Sequence, residues 1–147
     1  MITLTKILNV DDSSQVKSIN FTLALTSEER SRSRYRIESD HQEIIWLNLP
    51  RGTILQDGDL LQSESGEIIV KIIAKPEPVL TVTSSNNLTL LRAAYHLGNR
   101  HIPLEITANY LRLSPDSVLQ SMLEHLGVNI KSEIAPFNPE KGAYHHH

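Results

Sequence analysis

The sequence predicts an α+β protein built in two parts. An all-β half, a small barrel or sandwich, precedes a ferredoxin-like βαββαβ half, and a flexible histidine-bearing tail ends the chain. Three observations carry this. Short apolar runs alternate with glycine turns through residue 74 and show no helical period. Two prolines then fall within four residues, Lys75-Pro76-Glu77-Pro78, which a central strand does not tolerate. Beyond them, apolar spacing switches between the strand and helix periods in ferredoxin-like order. The expected boundaries are residues 1–74, 75–135 and 136–147.

The expected strands of the first part are Ile2 to Leu8, Ser18 to Leu23, Tyr35 to Ser39, Glu43 to Leu49 and Ile68 to Ala74. Arg51-Gly52, Asp57-Gly58-Asp59 and Ser65-Gly66 supply turns. In the second part Val79 to Thr83 reads as a strand. Asn86 or Asn87 caps a helix with Leu88, Leu91, Ala94 and Tyr95 on one face. Gly98-Asn99 ends it, since both residues tolerate the left-handed conformation. Pro103 to Ile106 and Tyr110 to Leu113 form a strand pair. Ser114 caps a second helix, with Pro115 at its first position and Val118, Leu119, Met122, Leu123 and Leu126 turned to the core. Gly127 stops it, and Val128, Ile130 and Ile134 form the last strand. Pro136, Pro139 and Gly142 deny the tail regular structure.

Composition narrows the function. The chain has 147 residues, 39% hydrophobic and 21% charged, with a formal net charge of -3. That is globular composition, and the mild charge argues against whole-protein affinity for nucleic acid or an anionic membrane. No apolar run nears the ~20 residues that span a bilayer, and Met1 to Val10 lacks a signal pattern, so the cytoplasm is the expected compartment. Cysteine is absent. Any transition metal must therefore be held by imidazole, carboxylate, backbone or water, a donor set that suits nickel, copper(II), cobalt and zinc. No nucleophile elbow, phosphate loop, His-Glu-x-x-His or dinucleotide fingerprint is present, so the chain is not expected to be an enzyme.

The seven histidines carry the chemistry. His96 falls in the last turn of the first long helix, where a cation or a donor to a free carbonyl is favoured. His101 lies beyond the helix end. Five residues across a break do not bring both rings to one metal, so a capping histidine and an exposed one are a sufficient account. A two-fold axis at His101 would instead supply two imidazoles to one ion. His145, His146 and His147 are either mobile ligands or what a purification tag leaves behind. His41 falls in a turn and His125 near a helix end, both ordinary positions. Imidazole binds metal when neutral, so affinity should fall below pH ~6.5. Separately, Arg30, Arg32, Arg34 and Arg36 alternate with small residues and Tyr35. In an extended strand they would share one face. That face could be merely solvated, or could bind RNA or an acidic protein. An RNA- or protein-binding module with incidental histidines is therefore the alternative reading.

Leu25-Thr26-Ser27-Glu28-Glu29-Arg30 and the arginines after it resemble the first signature of the UreE-type urease accessory proteins. Leu47 to Thr53 and Asp57 to Leu61 continue the likeness, and Tyr95-His96-Leu97-Gly98-Asn99-Arg100-His101-Ile102-Pro103-Leu104 resembles the family's most characteristic block. Phe137 to Tyr144 resembles its lead into a histidine-bearing tail, which favours at least one native tail histidine. The resemblance implies a nickel metallochaperone that binds Ni(II) at a homodimer interface formed by the second domain. It makes His101 the interface ligand rather than His96, with His145 to His147 adding donors. Zn(II) or Cu(II) could take the same ligands in vitro. It implies the GTPase UreG and the urease preactivation complex as partners, which the arginine stripe would serve. Some members carry a further His-x-His pair. Pro115 and Ser117 stand at those positions here, so that accessory site is missing.

Overall fold

The computed structural model describes residues 1–8, 18–38 and 43–141. The chain divides into two compact units between Lys75 and Pro76.

The first unit holds β1 (Ile2–Leu8), β2 (Phe21–Leu25), α1 (Ser27–Arg30), β3 (Arg34–Glu38), β4 (Ile44–Asn48), β5 (Leu60–Ser63) and β6 (Ile69–Ala74). They form one six-stranded sheet in the order β2-β6-β5-β1-β4-β3, a curled half-barrel. β1 runs parallel to β4 and β2 to β6, and the other pairs are antiparallel. Period-two alternation turns Leu4, Leu23, Leu25, Ile45, Leu47, Leu61, Val70 and Ile72 into a single core. Gly58 makes the β5 turn possible. Its φ of 92° is left-handed, and its N–H donates to Ile72 O at 2.7 Å.

Three elements here depart from the expectation, β5 among them, since no strand is expected between the glycine turns at Gly58 and Gly66. The second strand starts at Phe21 and runs to Leu25, not from Ser18 to Leu23. α1 was not expected at all. It rests on a capping box: Thr26 Oγ1 accepts from Glu29 N at 3.3 Å, and Glu29 Oε1 accepts from Thr26 N at 2.9 Å. Four residues are too few to show a hydrophobic period, so only the Thr-x-x-Glu signature announces it.

The second unit holds β7 (Glu77–Thr83), α2 (Asn87–Gly98), β8 (Glu105–Ile106), β9 (Leu111–Leu113), α3 (Ser117–Leu126) and β10 (Asn129–Ala135). The antiparallel sheet order is β10-β7-β9-β8, the ferredoxin-like arrangement. Leu80, Val82, Leu111 and Leu113 pack with Ala93, Leu97, Leu119 and Leu123 from the two helices. Both helices therefore cover one face of the sheet.

Pro78 lies inside β7, opposite Ile134, contrary to the expectation that the two prolines keep a strand out of residues 75–78. β9 ends at Leu113, opposite Leu80, so at Pro78 the strand has a ladder partner on one side only. There a missing N–H is tolerated. The second long helix starts later than expected. Asp116, not Ser114, is its cap, with Oδ1 accepting from Val118 N at 2.9 Å and Leu119 N at 3.0 Å. Val118 is exposed rather than core.

The larger correction concerns α2. Its core face is Leu90, Ala93, Ala94 and Leu97, spaced i, i+3, i+4, i+7. Leu88, Leu91 and Tyr95 form an adjacent stripe and are 52%, 66% and 66% exposed. The helix carries two apolar stripes, and the fuller one takes the core.

The expected tail also begins as packed structure. Phe137 is fully buried against Val79 and Ala135. Asn138 N donates to Glu105 Oε1 at 2.8 Å, and Glu140 N donates to Leu104 O at 2.7 Å. The segment is held through Glu140. His41 and His145 to His147 lie outside the described residues.

Phe137→Ala should lower unfolding stability by about 3–5 kcal/mol, the usual cost of emptying an aromatic core site. Urea titration should show a lower midpoint at unchanged slope. A loss under about 1 kcal/mol would mean the segment is not core.

Candidate metal centre

The chain leaves α2 through two tight turns. Asn99 N donates to Tyr95 O, Arg100 N to Leu97 O and His101 N to Gly98 O, each at 3.1 Å. The expectation that Gly98 or Asn99 would be left-handed is not met. Gly98 stays helical, and Asn99 has φ -65° and ψ -18°. His101 takes the left-handed position instead, with φ 56°, the one non-glycine residue with positive φ among those described. Histidine is among the side chains enriched there, yet the conformation still costs about 1–3 kcal/mol. Its side chain is exposed. A strained, exposed imidazole at the reversal between α2 and β8 is a candidate ligand.

His96 is exposed in the last turn of α2, edge-on to Tyr95 with centroids 5.3 Å apart. His125 Nδ1 lies 2.8 Å from Ser121 O on its own helix, a boundary role as expected. Among the described residues no three histidine or carboxylate side chains come together as a metal site. The described part of one chain therefore assembles no metal site by itself.

Beside this loop sits a half-buried polar network, of which Glu105 and Thr81 are the buried members. Glu105 pairs with Arg112 across β8 and β9, and Arg112 with Thr81 across β9 and β7, so the three share one face. Tyr110 donates its hydroxyl to Glu105 Oε2 at 3.1 Å. Arg112 Nη1 donates to that hydroxyl at 3.2 Å, and its Nε donates to Thr81 Oγ1 at 3.0 Å. Arg112 also lies 3.9 Å from Glu105 and 3.7 Å from Glu133. Burial, then the bond to Glu105, pushes the Tyr110 hydroxyl pKa up. The Thr81 hydroxyl, aided by Lys131 and Arg112, holds the Glu133 carboxyl below its ordinary range despite some desolvation. Sequence reading missed this network, because one glutamate in a two-residue strand carries no pattern.

The four arginines do not share a strand face. Arg30 lies in α1, is 2% exposed, and donates Nε to Leu25 O at 3.2 Å. Arg32 bonds Glu28 Oε1 at 2.6 Å and lies 4.9 Å over the Tyr35 ring. Tyr35 in turn donates to Glu29, which pushes its own pKa up. Arg34 and Arg36 alone sit on β3, opposite Asn48 and Trp46, and line a shallow cavity with Thr3. The capping box splits the stripe by placing Arg30 in a helix and Arg32 in the irregular segment that follows it.

The fold defines a two-domain α+β protein, a six-stranded β unit followed by a ferredoxin-like unit with one exposed histidine after its first helix. Among the described residues no helix is long and apolar enough to cross a membrane. The family model described as UreE urease accessory protein, N-terminal domain, matches residues 5–74, and the C-terminal domain model matches 77–147. The chain is 56% identical to urease accessory protein UreE of Nostoc sp. over 147 residues, covering 100% of this chain and 98% of that protein. It is 61% identical over 131 residues to the Microcystis aeruginosa UreE, covering 89% and 82%. To the Burkholderia lata UreE it is 50% identical over 123 residues, covering 84% of this chain and 59% of that protein. The chain belongs to the UreE family of urease accessory proteins.

Arg30→Ala should cost about 1–3 kcal/mol, through lost packing and an unpaired buried carbonyl. The double substitution Arg34→Glu, Arg36→Glu should stay within about 0.5 kcal/mol, as exposed changes do. Equal losses in thermal unfolding would restore a single four-arginine surface.

Proposed function

We propose that the chain carries nickel(II) in the cytoplasm, binds it at a homodimer junction, and delivers it for assembly of the urease active site. Family membership supports the role in urease maturation. One observation carries the finer reading. The exposed stripe Leu88, Leu91 and Tyr95 runs along α2 towards the end where His101 is held in a left-handed turn. An exposed apolar helix face of this kind suits an isologous contact, in which the same patch serves both copies. Such a contact at the end of α2 brings two His101 imidazoles to one ion.

Nickel accepts nitrogen and oxygen donors in octahedral or square-planar geometry. Two imidazoles from His101 leave positions open, and His145, His146 and His147 fill them. Zinc and copper(II) fit the same donors in vitro. The chain acts as a carrier, not an enzyme, and nickel is its cargo. UreG and the urease preactivation complex are the receivers, with Arg34 and Arg36 as the cations free to meet them. The alternative, RNA bound along an arginine stripe, loses ground because Arg30 is buried in the fold and Arg32, on the surface, is paired with Glu28 rather than aligned with Arg34 and Arg36 on β3.

The dimer has a direct test. Leu91→Asp with Tyr95→Asp alters exposed side chains and should leave the monomer folded. Sedimentation should show a dimeric parent and a monomeric variant. A variant that stays dimeric would remove this face from the interface.

Calorimetric titration with nickel tests the site. The parent should show one tight ion per dimer. His101→Ala removes two ligands at once and should abolish that phase. His96→Ala should keep it, and a chain ending at Tyr144 should bind more weakly. A tight phase that survives His101→Ala but vanishes with the tail would refute the assignment of His101.

A further inference from the structure

β3 is one edge of the six-stranded sheet. Its register with β4 decides which of its backbone groups are already used. Leu49 N donates to Ser33 O, one step before the pair Arg34 and Asn48. Bonded pairs alternate along an antiparallel ladder, so Tyr35 and Ile37 are the residues that bond β4. The N–H and C=O groups of Arg34, Arg36 and Glu38 point the other way, along the free edge. Tyr35 and Ile37 turn their side chains to the core. Arg34 and Arg36 therefore share the outer face with Asn48, Trp46 and Thr3, where they line a shallow cavity. Among the described residues neither arginine joins an ion pair. Trp46, across the ladder from Arg36, is 39% exposed and is the chain's only tryptophan.

We propose that the β3 edge takes an extended acidic segment of a partner protein as a further strand of the sheet. Main-chain bonds to Arg34 and Arg36 supply affinity, and alternate side chains supply choice. Residues of the segment opposite Arg34 and Arg36 lie on the outer face, so Asp or Glu fits there. The residue between them falls on the other face, over the half-buried Tyr35 and Ile37, and is apolar. Opposite Glu38 a carboxylate is disfavoured, because like charges directly opposite destabilise a strand pair. The recognised pattern is therefore acidic-apolar-acidic, flanked by a neutral or basic residue. The inference deepens the reading that Arg34 and Arg36 meet the receiving proteins, and no step of it needs nickel.

The edge suits the task. β3 holds no proline, glycine or bulge, the backbone devices that close an edge to pairing. Its charged side chains discourage indiscriminate pairing, yet they favour a strand of opposite charge. RNA is the poorer fit. It would find two cations in line, with the Glu38 carboxylate next on the same strand face.

The experiment titrates a blocked peptide, Thr-Val-Glu-Val-Glu-Val-Thr, into the metal-free full-length protein, read by Trp46 fluorescence and by calorimetry. The peptide should bind, and one with Lys in place of Glu should not. The double substitution Arg34→Glu, Arg36→Glu changes exposed side chains and should leave the protein folded. It should weaken binding at least about tenfold, since two cross-strand attractions become repulsions. N-methylated peptides separate strand addition from adhesion to the face. Only alternate amides of an added strand point at β3. Methyl groups on one alternate set should abolish binding, and on the other set should leave it. Tolerance of both sets overturns the inference, as does equal affinity of the parent and the charge-reversed variant. A uridine oligonucleotide that binds at these arginines in preference to the peptide overturns it too. So does failure of the peptide to bind, a result that leaves the nickel titrations of the carrier reading standing on their own.

Discussion

A four-stranded sheet with both helices on one face must find cover for the other. Here the chain supplies it from its own C-terminal segment. Phe137 closes an apolar patch over Val79 and Ala135, and Glu105, Arg112, Thr81 and Glu133 fill the rest with a satisfied polar network. Burying two charges this way is a weak source of net stability, since desolvation offsets most of their attraction. Its use is to specify. Glu105 accepts one particular backbone N–H, 33 residues further along the chain, and so fixes where the segment crosses. Where the tail starts, and which edge it starts from, follow from that covering.

α2 shows the complementary constraint. A helix that buries one stripe needs polar residues elsewhere, yet this one presents Leu88, Leu91 and Tyr95 to water. Its second stripe adds nothing to the described fold of one chain. It makes sense as preparation for contact outside that fold, and His101 follows at the same helix's end. The left-handed turn there sets the ring just before β8 begins. Strain of this kind persists only where neighbours hold the chain in place. The bond from His101 N to Gly98 O and the anchored Leu104 do so on either side.

Much of this was legible in the sequence. The βαββαβ order came from alternating periods, and β1 from a clean run, because those signals extend over many residues. The break near Pro76 was marked by proline alone. What escaped was short or two-sided. α1 is a single turn, visible only as Thr26 and Glu29. α2's two stripes share Ala94, and spacing cannot say which faces inward when both are apolar. The αL residue was placed on Gly98 or Asn99 by propensity, whereas two i→i−3 bonds carried the turn on to His101. The arginine alternation assumed an extended backbone, and the capping box overrode it. His101 could be nominated from sequence, but not the anchored segment that ends beside it, since no local pattern links Glu105 to Asn138.

The proposed carrier role has one described anchor. His101 belongs to a turn pinned at both ends, by its own N–H to Gly98 O and by Leu104 O, which accepts from Glu140 N, so an imidazole there loses little freedom on binding an ion. Under the proposed reading it is the ligand that stays. A site fixed at every donor would hold nickel too long for a carrier, so the remaining donors of the proposed site have to be the ones that let go. Release would then need no unfolding of the second unit: a receiving protein would displace those donors while the α2 turn keeps His101 in place.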